Sequence, residues 1–220
     1  MKQAALPIAA NRQRGFTMIE MVIVMTMVAV LAAIAVPNMR KYVLNGRITS
    51  TTQELYRSIQ TARSEALKRQ NNVVMCASAN PTAGDSAVCA TSGITGWIVF
   101  EDADNNWDHA TDGTEELLEA HTYDTSKLSI VADSTAEISY AATGFINSSG
   151  GTNTKAIVIC DSRGNVDSNG GNTETNSVAR GIYIAPTGRA RITSVRDSTS
   201  DSYDIADLLG SGYINSSCPP

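Results

Sequence analysis

Between Gly15 and Pro37 the chain is almost wholly apolar, and from Met21 to Val36 it carries no charged residue. A helix needs about 20 such residues to cross a bilayer core, which Phe16 to Pro37 supplies. One acid, Glu20, sits near the start of the run. A carboxylate at the centre of a membrane helix costs roughly 2.5–3.5 kcal/mol or more, so an acid in such a segment marks a functional position. The residues ahead of the run include Lys2, Arg12 and Arg14 and no acid. Basic flanks of this kind stay on the cytoplasmic side. A secretory signal peptide would be cut after its apolar stretch, and Ala33-Ile34-Ala35 offers small residues for that. Neither that reading nor a plain single-pass anchor explains Glu20.

The segment Arg14-Gly15-Phe16-Thr17-Met18-Ile19-Glu20 resembles the signature of type IV pilins and type II secretion pseudopilins, G-F-T-x-I-E before a hydrophobic helix. The resemblance implies that a prepilin peptidase cuts after Gly15 and that the new terminus, Phe16, is N-methylated. It also implies that Glu20 satisfies the amine of an adjacent subunit and sets register during assembly. Phe16 and Glu20 stand at i and i+4, which on a helix puts amine and carboxylate on one face. The pair can then neutralise itself within one chain or between neighbours. The expected organisation is a cleaved leader over 1–15, a transmembrane and filament-core half-helix over 16–37, an amphipathic half-helix over 38–71 and a β-rich periplasmic head over 72–220. The precursor is expected in the bacterial inner membrane, single-pass, with its N-terminus cytoplasmic, and later in a pilus or pseudopilus. Implied partners are other major and minor pilins or pseudopilins, the prepilin peptidase and an inner-membrane assembly platform.

After Pro37 an apolar or small residue recurs at Leu44, Ile48, Leu55, Ile59, Ala62 and Ala66, while Arg47, Glu54, Arg57, Glu65, Lys68 and Arg69 fall opposite. These steps predict one helix from Phe16 to about Gln70, loosened at Pro37 and stopped at Asn71-Asn72, whose second half packs on a sheet. Beyond it, Val73–Cys76, Trp97–Phe100, Leu128–Val131, Ile138–Tyr140, Ala156–Cys160, Gly181–Ala185 and Arg189–Val195 read as short strands between turn clusters. Pro186-Thr187-Gly188 reads as a hairpin turn, and the Gly/Asn/Ser-rich stretches 147–154 and 161–177 as loops. The fold class is α+β, a long N-terminal helix on one or two antiparallel sheets. A narrower likeness, to the GspH/FimT branch with its FimU-like minor pilins, rests on Ala62-Arg63-Ser64-Glu65-Ala66, Gly96-Trp97-Ile98-Val99-Phe100, Phe145, Ile157-Val158-Ile159-Cys160 and Thr187-Gly188-Arg189-Ala190-Arg191. It implies a structural subunit at the filament tip or in assembly initiation.

The formal charge of the whole chain is −5. Loss of the basic leader makes the remainder more acidic, which argues against nucleic-acid binding driven by overall charge. The cysteines Cys76, Cys89, Cys160 and Cys218 form no C-x-x-C pair, and only His109 and His121 could join them at a zinc site, at the wrong spacing. An even count beyond a membrane segment indicates two disulfides in an oxidising compartment. Three pairings are open. Cys76–Cys89 with Cys160–Cys218 is favoured, since the first closes a short loop around Asn80-Pro81 and Gly84-Asp85.

Two motifs carry candidate chemistry. Asp102-Ala103-Asp104-Asn105-Asn106-Trp107-Asp108 alternates acids as an EF-hand does, but Trp107 stands where glycine is needed and Gly113 where glutamate is needed. The preferred reading is an acidic turn with a buried tryptophan, and no metal site is expected. Gly188-Arg189-Ala190-Arg191 puts Arg189 and Arg191 on one strand face. Arg180, Arg196 and Lys155 could join them in gripping phosphates. Some FimT-type members are DNA-uptake pilins with a G-R-x-R element of this kind, so DNA binding is the alternative function. Asp197, Asp201, Asp204 and Asp207 weaken that patch, and the alternative is not favoured. Arg40, Lys41 and Arg47, beyond the apolar run, suit anionic headgroups or a solvated turn. There is no G-x-S-x-G, P-loop or H-E-x-x-H pattern, so neither enzymatic activity nor a cofactor is expected.

Overall fold

An apolar stripe at helical spacing needs a surface to cover it, and here two sheets provide one. The computed structural model describes residues 15–109, 114–132, 137–147, 156–161 and 179–194. Helix α1 covers Met18–Arg69 and is unbroken through Pro37. The chain divides into two units between Val43 and Leu44. In the first unit the large apolar side chains are exposed on every face of the helix, Met18, Val24, Leu31 and Ile34 among them.

In the second unit α1 is amphipathic. Ile48, Leu55, Ile59, Ala62 and Ala66 are buried at the spacing the sequence shows, and Arg47, Glu54, Arg57 and Lys68 are exposed. The helix ends with Lys68 and Arg69 in its last turn, where cations complement the helix dipole. Gln70 then takes a left-handed φ of 56° and stops it.

Among the described residues eight antiparallel strands follow: β1 (Asn72–Ser78), β2 (Gly96–Asp102), β3 (Leu117–Thr122), β4 (Leu128–Ala132), β5 (Glu137–Tyr140), β6 (Ala156–Asp161), β7 (Arg180–Ile184) and β8 (Ala190–Ser194). They form two four-stranded sheets, ordered β3-β2-β1-β5 and β4-β6-β7-β8. Seven of them lie where the sequence places strands. β3 is the addition, an edge strand paired to β2 from Gly96↔Thr122 to Phe100↔Leu117 with an irregularity at Val99/Phe100.

Alternation along the strands builds two cores. Val73, Met75, Trp97, Val99, Ile138, Tyr140, Ile157, Ile159, Ile182 and Ile184 meet the helix stripe in the larger one. The intervening residues Val74, Cys76, Ile98 and Phe100 pack with Ala87 and Trp107 in a smaller core on the other face of the first sheet. Two connections supply that cover. The first contains a 3-10 segment at Pro81–Ser86 and is closed by a Cys76–Cys89 disulfide. The second is the β2–β3 connection, which carries Trp107. Cys160 is disulfide-bonded and buried on β6, while Cys218, the partner expected from the sequence, lies outside the described residues. A cross-link closing a loop as short as the Cys76–Cys89 one stabilises by about 3 kcal/mol in the chain-entropy model.

Candidate functional site

Three places carry the residues singled out in the sequence. The first is the start of α1. Among the described residues Gly15 has open space where a Cβ would stand, Phe16 is 79% exposed, and none of them covers the Gly15–Phe16 bond. Thr17 caps the helix: its Oγ1 accepts a hydrogen bond from the Glu20 backbone N–H at 3.2 Å, and its carbonyl accepts one from Met21. Thr17-Met18-Ile19-Glu20 thus has the S/T-x-x-E form of a capping box, a spacing legible in the sequence but hidden there inside the family signature. In consequence the helix begins at Met18, two residues after Phe16. The same-face relation expected of Phe16 and Glu20 requires Phe16 to be helical, and in this chain it is not.

The second place is the β7–β8 hairpin. Arg189 and Arg191 line one shallow groove with Tyr183, Ala185 and Thr187, and the Arg191 guanidinium lies 5.5 Å from the Tyr183 ring centre. Arg180 stands on β7 in alternation with Tyr183, on the side of Ile182 and Ile184. The structure therefore brings together two of the four candidate arginines. Arg196, Lys155 and the acids after residue 196 lie outside the described residues. The turn itself is fixed from below. Arg63 on α1 donates from Nε to the Gly144 carbonyl at 3.0 Å and from Nη2 to the Thr187 carbonyl at 3.2 Å. Tyr140 donates its hydroxyl to the Gly188 carbonyl, and burial pushes that phenol well above its ordinary range.

A second arginine on α1 closes the C-terminal end of the helix. Arg69 reaches Glu65 and Glu101 at 2.8 Å and Glu116 at 2.5 Å, joining the helix to β2 and to the approach to β3. Its hydrogen bonds hold Glu65 and Glu116 below the usual carboxylate range. Arg63, which the sequence offers only as part of a family likeness, thus has a structural task that needs long-range contacts to be seen.

The third place is the β2–β3 connection. Trp107 is buried, as expected of the acidic turn. The turn is less bland than its EF-hand mismatch suggests, because the acid that completes it comes from across the hairpin. One oxygen from each of Asp102, Asp104 and Glu115 lies within 4.8 Å of the other two. Asp102 and Glu115 are buried and Asp104 is exposed. Burial pushes the Asp102 carboxyl up to about 6, with the Glu115 charge adding to it.

Comparison with known proteins covers the first place and most of the head. The family model described as type II transport protein GspH matches residues 51–188. The chain belongs to the GspH family. A second model, the prokaryotic N-terminal methylation motif, matches residues 10–36, the segment holding Gly15, Phe16 and Glu20. The GspH family is one of pilin-type structural subunits, not of enzymes. Two fimbrial proteins of Pseudomonas aeruginosa are 30% identical over 108 residues, 48% of this chain and 66% of theirs. Fimbrial protein Q of Moraxella bovis is 35% identical over 83 residues, 38% of this chain and 52% of that protein. The chain thus spans less than two thirds of the length of these relatives. A crystal structure of the type IV minor pilin FimU of Pseudomonas aeruginosa aligns with a TM-score of 0.44 at 16% identity, over 67% of this chain and 89% of that one.

Proposed function

We propose that this GspH-family protein is a minor pilin or pseudopilin, made as an inner-membrane precursor with its head in the periplasm. It is cut after Gly15 by a prepilin peptidase, N-methylated at Phe16 and built into a filament by its N-terminal helix, at the tip or during initiation. The carrying observation is the methylation-motif match over residues 10–36 on an exposed, charge-free helix interrupted only by Glu20. Exposed apolar side chains on all faces of a helix call for lipid or for neighbouring helices. A filament core of packed subunits offers the second after the membrane has offered the first. The partners on this reading are other pilins or pseudopilins and an inner-membrane assembly platform.

Intact mass and N-terminal peptide mapping of the protein recovered from the envelope test the processing. The expected chain starts at methylated Phe16, and Gly15→Leu is expected to accumulate the uncut precursor. A mature terminus after residue 33 would mean ordinary signal-peptide cleavage and end the pilin reading.

A second reading, a filament-displayed DNA receptor, is favoured by one observation: Arg189 and Arg191 share a groove with Tyr183. On this reading the protein retards duplex DNA in a salt-dependent way. Replacing both arginines with glutamine then reduces the salt slope by about two units, one for each phosphate that an arginine no longer neutralises. Both arginines are exposed, so the double variant is expected to melt within about 2 °C of the parent, as surface substitutions do. Absence of retardation by the parent protein at low salt would remove the DNA reading and leave the structural one.

A further inference from the structure

The acids at the base of the β2–β3 connection are arranged in a way that a solvated turn does not need. Asp102 ends β2 with no exposed surface, yet among the described residues its Oδ2 has no hydrogen-bond partner. A buried carboxylate oxygen left unsatisfied is costly, about 1–3 kcal/mol and more when charged. The other oxygen, Oδ1, accepts the Asn106 backbone N–H at 3.1 Å. The same N–H is shared with Asp104 Oδ1, also at 3.1 Å, and Asp104 Oδ2 accepts from the Asn106 side chain. Across the hairpin Glu115 accepts the Ala103 N–H through Oε1 at 3.0 Å. The turn is thereby folded so that three carboxylates converge instead of splaying apart. Asn105 fixes it from outside, its Oδ1 accepting from Asn72 at the start of β1 and from Asn147 beyond β5.

We propose that Asp102, Asp104 and Glu115 bind one calcium ion, which satisfies the buried Asp102 oxygen and locks the β2–β3 connection over the smaller core. The spacing supports this. Calcium holds its oxygens at about 2.3–2.6 Å, so two ligands on one ion stand at most roughly 4.6–5.2 Å apart. The three oxygens here lie within 4.8 Å of one another. An all-oxygen, carboxylate-rich set suits a hard cation and not zinc, which takes nitrogen or sulfur in structural sites. Backbone carbonyls and water would complete the six to eight ligands that calcium takes. The site does not follow the EF-hand spacing, because Glu115 arrives from the approach to β3 and not from the twelfth loop position. It is independent of which filament the protein joins.

The test is calcium titration of the full-length chain in detergent micelles after EDTA treatment. Melting temperature is the first readout, and terbium luminescence sensitised through Trp107 is the second. Calcium is expected to raise the melting temperature by several degrees, with a Kd of about 10⁻⁴–10⁻³ M, the range of extracellular modules. Magnesium at equal concentration is expected to give less than half that shift. Asp102→Asn and Glu115→Gln are expected to abolish both signals. Because those two are buried and could fail to fold, the exposed Asp104→Asn decides the matter, and it should weaken binding about tenfold or more. No calcium-dependent shift by about 10 mM, far above that range, would overturn the proposal. So would an equal response to magnesium, or an undiminished response in Asp104→Asn.

Discussion

Replacing Glu20 with alanine is expected to leave the protein in the inner membrane and to cut its incorporation into filaments by about tenfold or more. Membrane insertion should not suffer, because removing an acid from an apolar helix relieves a cost of roughly 2.5–3.5 kcal/mol at the helix centre. Assembly should suffer, because the carboxylate is then no longer present to neutralise the methylated amine of a neighbouring Phe16. Weakening that pairing by 1.4 kcal/mol is already a factor of about ten. The structure adds a competing explanation. Glu20 occupies the position of a capping-box acid, with its N–H on Thr17 Oγ1. Two further variants separate the accounts. Glu20→Gln keeps the capping capacity and loses the charge. Thr17→Ala removes the cap, costing about 1 kcal/mol of helix stability, and keeps the charge. On the charge account Glu20→Gln behaves like Glu20→Ala, and Thr17→Ala still assembles. Quantitative blotting of sheared filaments against the membrane fraction reads the outcome. Normal incorporation of Glu20→Gln would sink the amine–carboxylate pairing.

What could be read from the sequence tracks how local the cause is. The stripe from Ile48 to Ala66 lies within one helix, so its period alone locates the buried face, and the Asn71-Asn72 stop falls where the helix ends. β6 is buried at every residue, so its Ala-Ile-Val-Ile-Cys run stands out without alternation. β3 escaped because it is an edge strand whose residues are half-exposed, and Glu119 and His121 blunt its apolar signal. Cys76–Cys89 was accessible through its short loop. Partners separated by long stretches of chain were not. Arg63 meets Gly144 and Thr187 only because the sheets bring them together. Arg180 illustrates the opposite error. Residue type suggested a shared patch with Arg189 and Arg191, while strand parity sets it beside Ile182 and Ile184.

Gly188 is where local and long-range causes meet, and Gly188→Ala is expected to cost about 3 kcal/mol or more. Its φ of 78° lies in the left-handed region, which costs a residue with a Cβ roughly 1–2 kcal/mol. The added Cβ would also collide with the carbonyl oxygen of Gly144 and press on the Tyr140 ring. The Gly144 carbonyl cannot move freely, since it accepts from Arg63 Nε. Shifting it gives up a hydrogen bond to a charged donor, worth about 1.5–3 kcal/mol. For a domain of this size, each kcal/mol lowers the melting temperature by about 2–4 °C, so a drop on the order of 10 °C is expected. Gly93 supplies the control: its φ is 66°, but no described residue lies within 4 Å of the position a Cβ would take. Gly93→Ala should therefore show only the backbone cost and a drop less than half as large. Circular-dichroism melts of the two variants make the comparison. Equal drops would mean that the collision with Gly144 is relieved without loss, and that the turn is not clamped between Arg63 and Tyr140. A large, selective drop for Gly188→Ala would assign the glycine of the Gly-Arg-Ala-Arg element to the architecture. Any phosphate-binding role would then rest on the arginines that follow it.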